Sequence, residues 1–146
     1  MSATQPVATP TPRWRCPDCG RGFTRVRQFH SCRSVDLDEH LRDEGPRDLF
    51  ERLLTVVRAD VGACEVVSLP CCIHLAATYD FLAVLPRRDR LEVRFVLPRR
   101  LDDPRIAHLS QTGVHAYKHA VDVTDPDDLD PTLLGWIREA YQLPDA

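Results

Sequence analysis

Four residues near the amino end have the types and the spacing of a metal-binding group. Cys16 and Cys19 are separated by two residues, and His30 and Cys32 follow after ten intervening residues. Two thiolates at this spacing can share one ion, and one imidazole with a third thiolate completes a tetrahedral set. Because the set leaves no position open for water, a structural role is favoured over a catalytic one. The sequence therefore predicts one structural Zn²⁺ held by Cys16, Cys19, His30 and Cys32.

A second choice of ligands is compatible with the same segment. Phe23, Phe29 and Cys32 also fall where a Cys₂His₂ finger places its core aromatic, its core aliphatic and its first histidine. In that register Cys32 and His40 would be the third and fourth ligands. The short spacing from His30 to Cys32 matches a zinc knuckle better than the longer spacing to His40 matches a finger, so we favour His30.

Three aromatic residues of this small segment could form its apolar core. A chain this short has too little core to fold alone, so the metal would supply much of its stability. We expect Trp14, Phe23 and Phe29 to form a small apolar cap on the metal group. Residues buried in that cap would not be free to stack on nucleic-acid bases.

The same segment also concentrates positive charge, although the whole chain carries a net charge of -3. Its only acid is Asp18, against Arg13, Arg15, Arg21, Arg25, Arg27 and Arg33. A basic face of this kind is the electrostatic footprint of phosphate binding, which indicates nucleic acid or another anionic ligand as the partner. The alternative is a solvated face, which the abundance of arginine throughout the chain favours.

A cysteine and histidine group in the middle of the chain suggests a second chemistry. Cys71 and Cys72 precede His74, and a thiolate paired with imidazole can attack carbonyl or phosphoryl centres. Strand alternation, however, places Cys72 and His74 on one face and Cys71 on the other, and free cysteine is most often buried. The sequence thus favours binding over catalysis. An enzyme with a pocket on the sheet near His74, His115 and Lys118 is the alternative.

Two further histidines lie on one predicted strand. His115 and His119 would be about 13 Å apart in an extended chain, at about 3.3 Å per residue, so they cannot share a metal ion. We expect both on a solvated face of the sheet. The alternative is that either histidine lines an anion-binding patch with Tyr117, Lys118 and the turn at residues 87–88.

Length and composition indicate how these groups are organised. A chain of 146 residues with 43% hydrophobic and 28% charged residues suits a globular domain with a short appended module. We predict a disordered tail at residues 1–12, a zinc-binding module at 13–34, a short helix and linker at 35–45 and an α+β domain at 46–146. The proline-rich tail lacks the apolar region of a secretory signal, and no apolar run is long enough to span a bilayer. We therefore expect a cytoplasmic protein with reduced cysteines and no membrane partner.

The hydrophobic pattern predicts the elements of the larger domain. Ser34 is a plausible N-cap for a short helix over residues 35–42, a longer helix runs from Pro46 to residue 60 or 62, and a final helix spans Pro131–Tyr141. Runs rich in β-branched and apolar residues predict strands at 64–68, 71–78, 81–85, 91–97 and 115–123. Residues 87–89 form a hairpin turn. The expected fold is α+β, with an antiparallel sheet of about five strands flanked by an N-terminal and a C-terminal helix.

Several strings together resemble a known family. These are the run from Trp14 to Phe23 around the paired cysteines, the run from Gln28 to Cys32, the hairpin stretch at residues 86–89 and the ending near residues 136–141. Together they resemble the bacterial DUF5655 domain proteins that carry an N-terminal zinc-binding segment. The resemblance covers nearly the whole chain after the tail, and it implies an architecture rather than an activity.

Overall fold

The computed structural model of the protein describes residues 11–143, so the predicted tail lies almost entirely outside the described residues. The helices in this range are α1 (Leu37–His40), α2 (Glu44–Asp60) and α3 (Pro131–Tyr141), and a 3₁₀ turn covers Pro126–Asp128. The strands are β1 (Trp14–Arg15), β2 (Gly22–Phe23), β3 (Glu65–Ser68), β4 (Ile73–Ala76), β5 (Asp80–Pro86), β6 (Leu91–Leu97), β7 (Ile106–Gly113) and β8 (Ala116–Val123).

The strands form two antiparallel sheets. β1 and β2 pair with each other in the N-terminal module, and the other six strands form one sheet in the order β3-β4-β5-β6-β8-β7. Each neighbouring pair in the larger sheet is antiparallel. The predicted α+β class, with a helix before and a helix after the sheet, is confirmed.

One face of the larger sheet forms the core. Leu91, Val93 and Phe95 alternate along β6 with more polar residues, and all three are buried because they point towards the helices. Leu53 from α2 and Ile137 from α3 are fully buried in the same cluster. Burying this much apolar surface is the main contribution to the stability of the domain.

The opposite face of the sheet carries polar groups. Glu92 is buried there between Arg87 and Arg94, whose guanidinium nitrogens lie 3.2 and 2.5 Å from its carboxylate. Burial alone would raise the pKa of Glu92, but the two guanidinium groups hold that pKa below its usual range. This face is therefore available for a site and is not part of the main core.

The structure differs from the expected elements in several places, and its larger sheet has six strands where about five were expected. β7 was not predicted, because this edge strand is largely exposed and lacks a regular alternation of apolar and polar residues. The short helix α1 begins after Asp36 and not after Ser34. Helix α2 starts at Glu44, so that Pro46 lies within its first turn, where its missing N–H is not needed.

The final helix has the predicted bounds, and its start is fixed by an acidic residue. The side chain of Asp130 accepts a hydrogen bond from the backbone N–H of Leu133 at 2.9 Å. The guanidinium of Arg105 also contacts both carboxylate oxygens of Asp130, each at 2.9 Å. These contacts satisfy a free N–H of the first turn and anchor the helix to the preceding loop.

The expectation of a solvated face was wrong for His119, which belongs to the core. His119 is fully buried, stacks on Phe95 with ring centroids 5.4 Å apart, and accepts a hydrogen bond from the backbone N–H of Leu101 at its Nε2. Burial lowers the pKa of His119 below its ordinary value of 6.5. By contrast, His115 is exposed in the turn between β7 and β8.

Because His119 is held neutral in the fold, we expect the free energy of unfolding to fall in acid. Below pH 6.5 the unfolded chain takes up a proton that the folded chain refuses, so stability is full above pH 6.5 and is lost towards the lower pKa of the folded state. The slope from this one group approaches about 1.4 kcal/mol per pH unit. Urea unfolding of the wild type and of His119→Gln at several pH values measures this slope, as the difference between the two proteins. Parallel pH curves for the two proteins would contradict the assignment.

The N-terminal module packs closely on the larger sheet at Gly22. A Cβ added to Gly22 would lie 2.7 Å from the Cβ of Pro12 and even closer to the backbone carbonyl oxygen of Thr78. Real Cβ atoms do not approach a backbone oxygen this closely, and neither neighbour is a flexible side chain. Glycine is therefore required here by the contact between module and sheet.

We expect Gly22→Ala to destabilise the packing of the module on the sheet by about 1–3 kcal/mol, the usual cost of overpacking. Gly135→Ala is the matched control, because nothing lies within 4 Å of an added Cβ on this exposed helical glycine. That control should stabilise α3 by about 0.5–1 kcal/mol, since alanine loses less backbone entropy. Thermal unfolding of both variants gives the comparison, and equal midpoints would show that the close approach is absent in solution.

Candidate metal centre

The structure brings together the four predicted ligand residues of the N-terminal module. One side-chain atom from each of Cys16, Cys19, His30 and Cys32 lies within 4.8 Å of the other three. The Sγ atoms of Cys16 and Cys32 are 3.7 Å apart, and Nε2 of His30 is 3.3 Å from Sγ of Cys19 and 3.2 Å from Sγ of Cys32. This arrangement could hold a metal ion with three sulfur donors and one nitrogen donor.

The paired cysteines are presented by a tight knuckle between β1 and β2. The backbone N–H of Cys16 donates to the carbonyl oxygen of Arg21 at 2.9 Å, and the N–H of Gly20 donates to the carbonyl oxygen of Cys16 at 2.8 Å. The N–H of Asp18 points to the sulfur of Cys16, at 3.4 Å. Gly20 has φ +77°, a conformation that costs glycine little. Backbone hydrogen bonds within residues 16–21 therefore hold the two cysteines of the first half of the site in position.

The second half of the site depends on the orientation of His30. Its Nδ1 lies 2.7 Å from the carbonyl oxygen of Gln28, which it contacts as a donor, so that Nε2 is left with a lone pair facing the cysteines. The ring also packs at 4.2 Å from the ring of Phe23 and edge-on to Trp14, at 6.0 Å. Hydrogen bonding and packing together prepare this imidazole to act as a ligand.

The electrostatics of the thiols differ from one position to the next. Burial opposes ionisation of Cys19, but hydrogen bonds from the backbone and side chain of Arg21 lower its pKa to about 6. Burial and the neighbouring sulfurs of Cys16 and Cys19 raise the pKa of Cys32 to about 11. The cluster of sulfur atoms therefore resists full ionisation unless a cation is bound among them.

The other proposed fourth ligand, His40, lies elsewhere. Its Nε2 is 2.6 Å from the carbonyl oxygen of Leu69, at the end of β3, and it is not in the group formed by the four ligands. His40 therefore joins α1 to the larger sheet. The geometry favours His30 over His40, as the spacing did.

The predicted apolar cap is only partly formed. Phe23 is buried and packs at 5.8 Å from Trp14, but Phe29 is 99% exposed. The prediction for Phe29 was wrong, because His30 occupies the place against Phe23 that a third aromatic ring would have filled.

The arginines of the module have different roles. Arg21 is nearly buried: it contacts Asp80 at 3.2 Å, donates to the carbonyl oxygen of Ser31 and lies over the ring of Phe23. It therefore joins the module to β5 and is not available to a ligand. Arg13, Arg15, Arg25, Arg27 and Arg33 are the exposed members of the predicted set.

A pocket of about 490 Å³ is lined by residues from both sides of the larger sheet, with Arg94 from the polar face and Phe95 and Tyr141 from the core. Of the three residues that sequence analysis placed near a pocket, His74 and Lys118 line it, whereas His115 does not. Thr24 of the module also lines it, so the pocket lies between module and sheet. No pattern in the sequence had indicated that Thr24 lines a pocket.

Cys71 and Cys72 line the same pocket, but not as predicted. β4 begins only at Ile73, so both cysteines lie in the β3–β4 turn, with their sulfurs 3.0 Å apart and close to His74. The expected separation of Cys71 from the other two was therefore wrong. Burial raises the pKa of Cys72 to about 12, so Cys72 is a thiol and a poor nucleophile at neutral pH.

Fold and site together define an α+β domain preceded by a cysteine and histidine group that could hold a metal ion. Over residues 43–144 the chain matches the family described as a domain of unknown function (DUF5655), and it belongs to that family. The metal-binding group, at residues 16–32, precedes the matched region. Comparison with curated proteins and with solved structures gave no match.

Within residues 11–143, none of the helices combines the length and the apolar character required to cross a lipid bilayer.

Proposed function

We propose that the protein is a zinc-binding protein in which one structural Zn²⁺ folds the N-terminal module, and that the module binds single-stranded nucleic acid. The observation that carries the proposal is the exposure of Phe29 beside arginines on the loop between Cys19 and His30, two members of the group that could hold a metal ion. The role of the metal and the role of the loop are supported by separate observations.

The ligand separations support zinc. In a tetrahedral site with Zn–S of about 2.3 Å and Zn–N of about 2.0 Å, two sulfurs are about 3.8 Å apart and sulfur and nitrogen about 3.5 Å apart. The corresponding separations here are 3.7 Å between Cys16 and Cys32 and 3.2–3.3 Å from His30 to Cys32 and Cys19. Three thiolates and an imidazole form a closed set typical of structural zinc, so the ion stabilises the fold and takes no substrate.

The loop between Cys19 and His30 has the composition of a surface for unpaired bases. Phe29 is 99% exposed and Val26 is 66% exposed, and the exposed Arg25 and Arg27 stand on either side of Val26. Every base has an apolar face that can stack on an aromatic ring, and arginines can contact the phosphates between bases. Bases are free to stack on a side chain only where they are unpaired, which favours single strands over duplexes.

A second candidate function is the binding of a small anionic ligand in the pocket on the sheet. Within residues 11–143, Lys118 lines this pocket and has no ion-pair partner, whereas the charge of Arg94 is paired with Glu92. The rest of the lining is mostly apolar, including Leu82, Leu85 and Val96. An apolar pocket with one free cation suits a molecule that carries both an apolar group and a carboxylate or phosphate.

We expect removal of the zinc to unfold the module and leave the larger domain folded. Cys19→Ser should lose the ion and the order of residues 13–34, because the module has too small a core to fold without it. Cys64→Ser is the matched control, since Cys64 belongs to neither cluster of ligands. Elemental analysis counts the metal, and heteronuclear NMR reports the order of the module. A metal-free wild-type chain with an ordered module would contradict the structural role of zinc.

We expect the exposed loop to carry the binding of single-stranded oligonucleotides. Phe29→Ala removes the stacking platform and should weaken binding by about 5- to 150-fold, which corresponds to about 1–3 kcal/mol. The double variant Arg25→Gln with Arg27→Gln should make the slope of log affinity against log salt concentration shallower by about one to two. Fluorescence anisotropy with labelled single-stranded DNA and RNA at several salt concentrations measures both effects.

The control for charge is Arg88→Gln with Arg100→Gln, two exposed arginines of the larger domain. This variant changes the net charge equally, so it should retain both the affinity and the salt dependence of the wild type. If this control weakens binding as much as the loop variant does, the nucleic acid is attracted by the positive charge of the whole protein, and the loop is not the binding site. If the wild type does not bind oligonucleotides, or binds them independently of salt, the nucleic-acid function is contradicted. The pocket then remains as the candidate site.

A further inference from the structure

A second group of metal-binding side chains lies on the sheet, well separated in sequence from the first. Cys71, Cys72 and His74 each place one ligand atom within 4.8 Å of the others. We propose that these three residues form a second site for a transition-metal ion, with a fourth position open to the pocket on the sheet.

The local fold explains why these residues converge. Ser68 and Ile73 are paired at the end of the β3–β4 hairpin, and the N–H of Leu69 donates to the carbonyl oxygen of Cys72 at 2.9 Å. This tight turn places Cys71 and Cys72 at its end. His74 lies at the start of β4, and one of its ring nitrogens lies within 4.8 Å of both sulfurs.

A carboxylate orients the histidine of this second site. Nδ1 of His74 donates to Oδ2 of Asp80 at 2.6 Å, which leaves Nε2 as the nitrogen with a free lone pair. Asp80 is itself fixed by the guanidinium of Arg21, at 3.2 Å. A histidine that donates its second N–H to a carboxylate is the usual arrangement around a bound metal. Gln28 does the same for His30 through its backbone carbonyl oxygen in the first site.

The donor atoms indicate the kind of ion. Two sulfurs and one imidazole nitrogen suit Zn²⁺, Co²⁺ or a softer ion and do not suit Mg²⁺ or Ca²⁺. In a tetrahedral site the two sulfurs would be about 3.8 Å apart, whereas those of Cys71 and Cys72 are 3.0 Å apart. Binding must separate them, and the exposed side chain of Cys71 at the turn has room to rotate.

The surroundings of the second site differ from those of the first. Three protein ligands leave one of four tetrahedral positions for water or for a donor atom of a ligand, as in catalytic zinc sites. All three residues line the pocket of about 490 Å³, which also contains Lys118. The open position would therefore be accessible to a small molecule with an anionic or carbonyl oxygen, which the ion would polarise.

Counting metal ions per chain tests the proposal. The full-length protein, with its thiols kept reduced by a phosphine, is dialysed against Co²⁺ and analysed for metal and protein. We expect two ions per chain for the wild type and one for Cys71→Ser with Cys72→Ser. Cys64→Ser, whose thiol lies in neither group, should retain both ions. The absorption of thiolate-bound cobalt shows whether each ion has sulfur ligands.

Two further variants separate loss of the site from loss of the fold. Cys19→Ser should lose the first ion and retain the second. Asp80→Asn leaves the three ligands in place and should weaken the second ion by about 10- to 100-fold, because His74 loses the carboxylate that orients it. Arg21 loses a charge partner in the same variant, but it is not a ligand of the first ion, which should therefore stay bound. Circular dichroism checks that each variant is folded. A wild-type chain that takes up one ion, and still does so without Cys71 and Cys72, overturns the proposal.

Discussion

Burial of one face of the six-stranded sheet under α2 and α3 is the constraint on which the rest of the structure depends. The helices cover the face that carries Leu91, Val93 and Phe95, and this face forms the main core. Because the two helices cover only that face, the other can carry Glu92 with its two arginines and part of the pocket lining, including Lys118. The position of these polar groups thus follows from which side of the sheet the helices cover.

The N-terminal module and the sheet are joined by charge as well as by contact. Arg21 lies between Phe23 of the module and Asp80 of β5, and Asp80 also holds His74. These residues form one connected chain of polar contacts between the two cysteine and histidine groups. Such a largely buried guanidinium needs its partners, since an unpaired buried charge is costly. Arg21 thus links the module to Asp80, whereas the contact of Asp80 with His74 lies within the larger sheet itself.

Local patterns were sufficient for much of the fold. The alternation in β6 and the helical spacing in α3 identified both elements, because each depends on the positions of apolar residues along a short stretch. The same reasoning failed for β7, whose exposed edge position leaves no pattern in its sequence. It also failed for His119, whose ring is buried against Phe95 with one hydrogen bond to its Nε2, although its Nδ1 has no hydrogen-bond partner among the described residues.

The sequence by itself determined the four candidate ligands near the amino end, because a knuckle brings its cysteines together through bonds between near neighbours. It also determined the α+β class, which follows from the order of the helical and strand patterns. Only the tertiary structure decided that Phe29 is exposed, that Cys71 lies with Cys72 and His74, and that Arg21 reaches Asp80. The contact of Arg21 with Asp80 depends on packing between segments distant in the chain, which no local pattern of residue types records. The other two facts depend on where β4 begins and on which ring packs against Phe23, and residue types alone did not specify either.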